Sequence, residues 1–274
     1  MINCYYVKGK IQLRDYLKGL SLSNSYIYKL LENNAITDEK GYLKAEDIIS
    51  NSNIYINFSL LETNECYNNL NVNNLSVIFE NKDIIAVYKD RGLLIHSDGS
   101  NEITLQDYVE KYLYLKGDDS VIRCLHRLDK ETTGVVLFSK NVLAHAYITN
   151  QMEKGLIEKE YLALVEGVIT ENGYVDIGIG KNRHDSKKMI AIKSGKSAYT
   201  EYKVLKYIKN NTYLSVKIKT GRTHQIRVHM NYINHPIIGD SLYGKGGTLM
   251  LMCKRMSFGL FGERINIITK EELV

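Results

Sequence analysis

Apolar residues change their period along the chain. Leu13, Tyr16, Leu17 and Leu20 recur at i, i+3, i+4 and i+7, which marks one face of a helix. Ser21 to Ser25 supply turn and N-cap chemistry, and Ile27, Leu30 and Leu31 form the apolar face of a second helix. That helix is expected to stop at Asn33-Asn34, where asparagine takes the left-handed cap conformation. Residues 35–58 read as short strands around Asp38 to Gly41. From Glu62 to Asn74 the pattern dissolves. Six asparagines in that run compete for backbone hydrogen bonds and oppose regular structure, so a linker is expected at 63–75.

After the linker the period becomes that of strands. Val77-Ile78-Phe79 and Ile84-Ile85-Ala86-Val87-Tyr88 flank the polar turn Glu80 to Asp83 and predict a hairpin. Thr104 and Asp107 form a capping box that opens a helix to about Lys116, closed by Gly117. Val135 to Phe138 predicts a buried strand, and Asn141 caps a helix running to Lys154. Tyr161 to Val165 is a further strand, and Leu214, Val216 and Ile218 alternate with polar residues in another. Ile226, Met230 and Ile233 return to a helical period, which Pro236 prevents from continuing. Strands and helices mix without a regular βαβ rhythm, which favours an α+β domain over a doubly wound one.

Length and composition bound what such a chain can be. With 274 residues, 44% hydrophobic and 24% charged, it can bury a substantial core without staples, and disordered, collagen-like and coiled-coil classes are excluded. No apolar run approaches the roughly 18–20 residues of a membrane span. The start, Met1 to Tyr6, lacks the basic residues and long apolar core of a signal peptide, so a cytoplasmic protein is expected. The four cysteines, at 4, 66, 124 and 253, form no Cys-x-x-Cys pair and read as reduced thiols.

The net charge of +5 permits a polyanionic partner without demanding one. Its distribution is more informative. Residues 1–72 have a net charge of −1, and the positive excess lies downstream. Lys181, Arg183, Lys187, Lys188, Lys193 and Lys196 stand against Asp185 alone. Such a cluster is either a solvated face or a loop that contacts phosphates.

Two segments carry candidate chemistry. In Cys124-Leu-His-Arg-Leu-Asp-Lys-Glu-Thr-Thr-Gly134, Asp129 sits in a polar loop just before a buried strand. By its type it is a nucleophile, a general base or a turn residue. A kinase catalytic loop is excluded, because a leucine separates Arg127 from Asp129 and no glycine-rich phosphate loop precedes them. In Thr220-Gly-Arg-Thr-His-Gln-Ile-Arg-Val-His-Met230, Arg222 lies where a strand turns into a helix, and its planar fork suits a carboxylate or a phosphate. His224 and His229 are five apart, not the i, i+4 spacing of helical zinc ligands, and read as capping or packing residues.

With these motifs in place the chain resembles the RluA-type family of RNA pseudouridine synthases. The likeness rests on HRLDKETTG at 126–134, KEYLALVEG at 159–167, TGRTHQIRVHM at 220–230 and HPIIGDSLYG at 235–244, in the family's order, over about 77 to 261. Residues 10–50 resemble the small RNA-binding domain first seen in ribosomal protein S-four, with Ser23-Asn24 and Asn34 at positions where that pattern has other residues. A Lys-Pro-x-Gly-Leu stretch of the family reads Lys89-Asp90-Arg91-Gly92-Leu93. The resemblance implies an α+β fold: a pseudouridine-synthase-like catalytic domain, 76–274, with a mixed, mainly antiparallel sheet flanked by helices. A small helical S-four-like domain, 1–62, would precede it.

The resemblance also implies a reaction. Uridine within RNA is isomerised: the bond from ring nitrogen to ribose breaks, the uracil turns over, and a carbon–carbon bond forms. Nothing is added or lost, so no cofactor or metal is expected. One ionised carboxylate serves, by attacking the anomeric carbon or by taking a ribose proton. By resemblance Asp129 is that carboxylate, Arg222 its partner, Tyr161 the ring that stacks on the base, and Ile226 the cover on its other face. Arg127 would fill the space the flipped nucleotide leaves. Lys187 and Lys188 would contact phosphates. Asp240, Tyr243 and Gly244 would brace the fold. The expected partner is ribosomal or transfer RNA, with no membrane, and the expected state is a monomer. The alternative classes are a non-catalytic RNA-binding ribosome-assembly factor on the same fold and a nucleoside hydrolase. The latter usually needs a second carboxylate or a metal at the sugar.

Overall fold

The computed structural model describes residues 2–60 and 70–274, so residues 63–69 of the expected linker lie outside the described residues. By internal contacts the chain divides into two compact units. One comprises Met1–Ala86, His96–His126 and Leu137–Glu153; the other comprises Val87–Ile95, Arg127–Val136 and Lys154–Val274.

The first unit opens with β1 (Ile2–Gln12), α1 (Leu13–Gly19), α2 (Asn24–Glu32), β2 (Ile36–Asp38), β3 (Gly41–Tyr42) and β4 (Ile48–Asn57). These strands form an antiparallel sheet in the order β1-β4-β2-β3. Both helices stand where the apolar spacing places them, and Asn34 takes the left-handed conformation, φ 52°, after the second. β1 is the element the pattern conceals. Its inward positions are Asn3, Tyr5 and Val7, and two of the three are polar. They are tolerated because each is partnered: the Tyr5 hydroxyl donates to Asp83 at 2.8 Å and Asn3 donates to the Tyr5 hydroxyl at 3.4 Å.

The same unit holds β5 (Val77–Glu80), the start of β6 (Ile84–Lys89), α3 (Leu105–Leu115), β7 (Arg123–Cys124), the end of β8 (Thr133–Ser139) and α4 (Val142–Glu153). The turn between β5 and β6 is fixed by Asn81, whose Oδ1 accepts from the Asp83 and Ile84 N–H groups. Thr104 and Asp107 form the reciprocal capping box of α3. The Asn141 side chain caps α4 by accepting from the Ala144 N–H at 2.9 Å.

The second unit is built on a mixed sheet. It contains β9 (Glu158–Glu166), β10 (Gly173–Asp176), β11 (Ile179–Lys181), β12 (Met189–Ala191), β13 (Tyr199–Ile208), β14 (Asn211–Ile218), α5 (Gln225–Tyr232), β15 (Leu251–Leu260) and β16 (Glu263–Ile268). The strand order β10-β13-β14-β9-β15-β8 is antiparallel except where β15 runs parallel to β8, and β16 pairs with β15. The parallel contact is unusually close. Gly134, at φ 112°, lies so near the Cys253 main chain that a Cβ there would clash with the Cys253 carbonyl. Leu162, Leu164, Tyr213 and Met252 pack together on the sheet. Val228 of α5 packs on Ile179 and Ala198, beside Met189 and Tyr243. β11 and β12 form a separate two-stranded hairpin whose loop, 182–188, holds Arg183, Lys187 and Lys188. Among the described residues no helix is long and apolar enough to cross a membrane.

Candidate active site

Asp129 lies in the loop that feeds β8. Its carbonyl accepts from the Thr132 N–H at 3.0 Å, which closes a turn and leaves the carboxylate at the mouth of the loop with 28% of its side chain exposed. The loop is held from below by Lys89 at the end of β6. The Lys89 side chain is fully buried, and its Nζ donates to the carbonyls of Lys130 at 2.7 Å, Thr132 at 2.9 Å and Asp90 at 3.0 Å. Burial pushes the Lys89 ammonium down to about 8, against Glu131, Asp129 and Asp90, whose charges raise it. The Gly92 N–H, at a left-handed φ of 76°, also donates to the Lys130 carbonyl at 2.9 Å. A lysine directly after the apolar run 84–88 is the signal in the sequence that this ammonium is buried.

Asp129 is paired by Arg227, not by Arg222. Arg227 Nη1 is 3.0 Å from Asp129 Oδ2. Its Nε and Nη2 donate to the two oxygens of fully buried Asp240, each at 2.8 Å. Arg222 is exposed, and its Nε donates to the Ser197 carbonyl at 3.0 Å. The reason lies in where α5 begins. Gln225 Oε1 accepts from the Arg222 N–H at 3.0 Å and holds residue 222 in the turn before the helix. Arg227 falls in the first helical turn, where it reaches the Asp129 loop. Burial opposes the charge of Arg227, but hydrogen bonds and charge from Asp240, then from Asp129, outweigh it and raise its pKa. Burial likewise disfavours the Asp240 carboxylate, yet Arg227 and the N–H groups of Leu242 and Tyr243 hold its pKa below the usual range. Asp240 thus braces the site through Arg227. Gly239 before it, at φ 77°, approaches the Thr248 carbonyl too closely for any side chain.

Tyr161 stands on β9 between Val216 of β14 and Cys253 of β15. It is buried, and burial followed by the neighbouring Cys253 raises its hydroxyl pKa; Asp129 is close enough to add to the effect. Burial pushes the Cys253 thiol up to about 12. Ile226 is buried on α5, next to Arg227 in sequence. Arg127 is exposed two residues before Asp129. Lys187 and Lys188 sit in the β11–β12 loop, where Asp185 accepts from the Lys187 N–H at 3.0 Å and lies 3.9 Å from the Lys188 ammonium.

The residues that type and spacing assign to capping and bracing also reach the carboxylate. His224 Nε2 is 3.9 Å from Asp129 Oδ2, and its Nδ1 is 3.0 Å from the Tyr243 hydroxyl. The Tyr243 ring lies beneath the Arg227 guanidinium at 5.4 Å. His229 faces elsewhere, toward Thr200 and the Ile177 carbonyl. Among the described residues no group of three His, Cys, Asp or Glu side chains is arranged to hold a metal ion.

The chain was compared with known proteins. Residues 83–232 match the model of the RNA pseudouridylate synthase family. The chain is 34% identical over 193 residues to an uncharacterized RNA pseudouridine synthase of Bacillus subtilis, covering 69% of this chain and 64% of that protein. It is 37% identical over 174 residues to the ribosomal large subunit pseudouridine synthase D of Pseudomonas aeruginosa, covering 62% and 53%. The chain therefore spans little more than half to two thirds of the length of these relatives. In fold it is similar to human RNA pseudouridylate synthase domain containing 1, with TM-score 0.64 and 24% identity over 75% of this chain and 86% of that one. A match that holds both the Asp129 loop and Arg227 covers more than half of the sequence: the chain belongs to the RNA pseudouridylate synthase family, in its RluA-type branch.

Proposed function

We propose that the protein isomerises uridines in structured RNA to pseudouridine, with Asp129 acting at the ribose. The observation that carries this is the pairing of a solvent-reachable carboxylate with a buried guanidinium, Asp129 with Arg227 at 3.0 Å. The bond from N1 to C1′ breaks and the bond from C5 to C1′ forms. A proton leaves C5 and one is taken up at N1, so the product is an isomer and the balance needs no cofactor. Asp129 attacks C1′ or takes a ribose proton, and Arg227 positions its carboxylate through the 3.0 Å hydrogen bond. The Tyr161 ring lies against the detached uracil and Ile226 covers its other face, so the base turns over without escaping. Arg127 fills the stack after the nucleotide flips out. Arg222, tied to Ser197, is left for an RNA phosphate, together with Lys187 and Lys188.

Large-subunit ribosomal RNA is the favoured substrate because Ribosomal large subunit pseudouridine synthase D is among the relatives; transfer RNA is the alternative. The setting is the cytoplasm and the working form a monomer. Residues 1–62 are an S-four-like RNA-binding domain, joined by the Asn-rich stretch 63–75 to the catalytic domain 76–274.

The test follows from the chemistry. Large-subunit ribosomal RNA transcribed with uridine tritiated at C5 releases tritium to water only if C5 loses its proton. Wild type should release it and leave pseudouridine in the digest. Free uracil would mean a hydrolase, and no change on this transcript or on a transfer RNA transcript labelled the same way would leave a non-catalytic assembly factor.

A further inference from the structure

α5 begins on a residue in an unfavourable conformation. His224, its N-cap, has φ 56° and ψ 21°, and its side chain makes no capping hydrogen bond. Strain held in place at a single residue marks a position the surroundings over-determine. What determines it here is the imidazole, which meets Asp129 and Tyr243. Nδ1 is 3.0 Å from the Tyr243 hydroxyl, and the two rings meet edge-on at 5.8 Å. The Tyr243 oxygen also accepts the Met189 N–H at 2.8 Å, which fixes the hydroxyl from the side of the β11–β12 hairpin.

Counting donors favours one tautomer. Tyr243 has one hydroxyl hydrogen, and Met189 occupies one of its lone pairs. If Nδ1 carried the proton, the bare lone pair of Nε2 would face the Asp129 carboxylate at 3.9 Å, acceptor against acceptor. If Tyr243 donates to Nδ1, the proton sits on Nε2 and faces the carboxylate. The second arrangement gives Nδ1 the Tyr243 hydroxyl hydrogen and aims the Nε2 hydrogen toward the carboxylate across 3.9 Å.

We propose that His224 and Tyr243 are positioning residues for Asp129: the Tyr243 hydroxyl, held by Met189, donates to Nδ1, and the neutral imidazole presents Nε2–H to Asp129. The gap of 3.9 Å is about 1 Å longer than a hydrogen bond, the slack that unliganded catalytic sites commonly take up when substrate binds. The charged and titratable groups around the ring are Asp129, Arg227, Asp240 and Tyr243. Burial and then Arg227 lower the His224 pKa, while Asp129 and Asp240 raise it, and the net shift is downward.

The kinetic arm of the test rests on the isomerase reading; the spectroscopic arm does not. Nitrogen-15 NMR of the full chain should give His224 as the neutral Nε2–H tautomer with a pKa below about 6.5, falling further in Asp129→Asn, which removes a charge that raises it. In the tritium assay, wild-type kcat should fall as acid protonates His224. His224→Asn, which tolerates the left-handed backbone, should lower kcat about a hundredfold, abolish that acid limb and leave RNA affinity unchanged. Tyr243→Phe removes the donor that stabilises the neutral ring, so it should lower kcat and move the limb to higher pH. An Nδ1–H tautomer overturns the proposal. So does a wild-type kcat or an unchanged limb in His224→Asn, or in Tyr243→Phe where the histidine variant does not fold. If wild type releases no tritium, the isomerase reading fails and the NMR result alone decides.

Discussion

Arg227 gives Asp129 one hydrogen bond and Asp240 two. The asymmetry separates catalysis from stability. Asp129→Asn keeps the shape of the loop and removes only the carboxylate proposed to react. Its turnover in the tritium assay should fall by roughly four or more orders of magnitude, with RNA binding retained in a filter-binding titration.

Arg227 and Arg222 should differ sharply under the same substitution. Arg227→Lys loses the fork that serves two carboxylates, so turnover should collapse. Arg227→Ala leaves Asp240 buried without a counter-ion and should lower unfolding free energy by about 3–5 kcal/mol. Arg222→Lys should leave turnover close to wild type and weaken RNA binding modestly. Denaturant titration and turnover measured on all three variants check this; equal losses at 222 and 227 would contradict it.

Much of the candidate site is legible through the resemblance, whose motifs carry Asp129 and Tyr161. Pattern alone marks only a polar loop before a buried strand at 129 and the start of a strand at 161. Arg222 and Arg227 cannot be told apart that way, since both lie in one motif. Their positions are decided by the left-handed backbone at His224 and by the Gln225 side chain, which together set the first turn of α5. β1 escapes notice because Asn3 and Tyr5 fill its inward positions, and only their bonds to each other and to Asp83 make them tolerable inside. Nothing in the spacing of Asp240 says that its partner is an arginine.

Lys89→Met should destabilise the loop, since three carbonyls lose their donor. Unfolding free energy should drop by a few kcal/mol, and kcat should fall more than affinity. The pH dependence has a defined sign. The folded pKa of about 8 lies below the 10.5 of the unfolded chain, so between those values the unfolded state binds more protons. Wild-type stability should therefore gain from this group as pH rises from about 8 toward 10.5, a contribution absent from Lys89→Met. Paired denaturation curves across that window would expose it.

The basic hairpin loop makes a separable prediction. Replacing Lys187 and Lys188 together by alanine should weaken RNA binding and flatten the salt dependence by up to about 2 units of slope. The nearby Asp185 carboxylate tends to reduce the share from Lys188. The rate at saturating RNA should hold. An unchanged slope would place the RNA path elsewhere, past Lys8, Lys10, Arg14 and Lys18.

The doubly held Asp240 contact has a consequence for the reaction coordinate. In the proposed reaction, where Asp129 bonds to carbon or accepts a proton, its negative charge disappears from beside a guanidinium that is only 6% exposed. In a site with one carboxylate, that moment would leave a buried cation with no anion, a penalty of several kcal/mol loaded onto the intermediate. Here Asp240, itself inaccessible to solvent, neutralises Arg227 throughout. On the proposed route the charge on Asp129 can be lost and recovered in each turnover while the net charge of the buried pair behind it never changes.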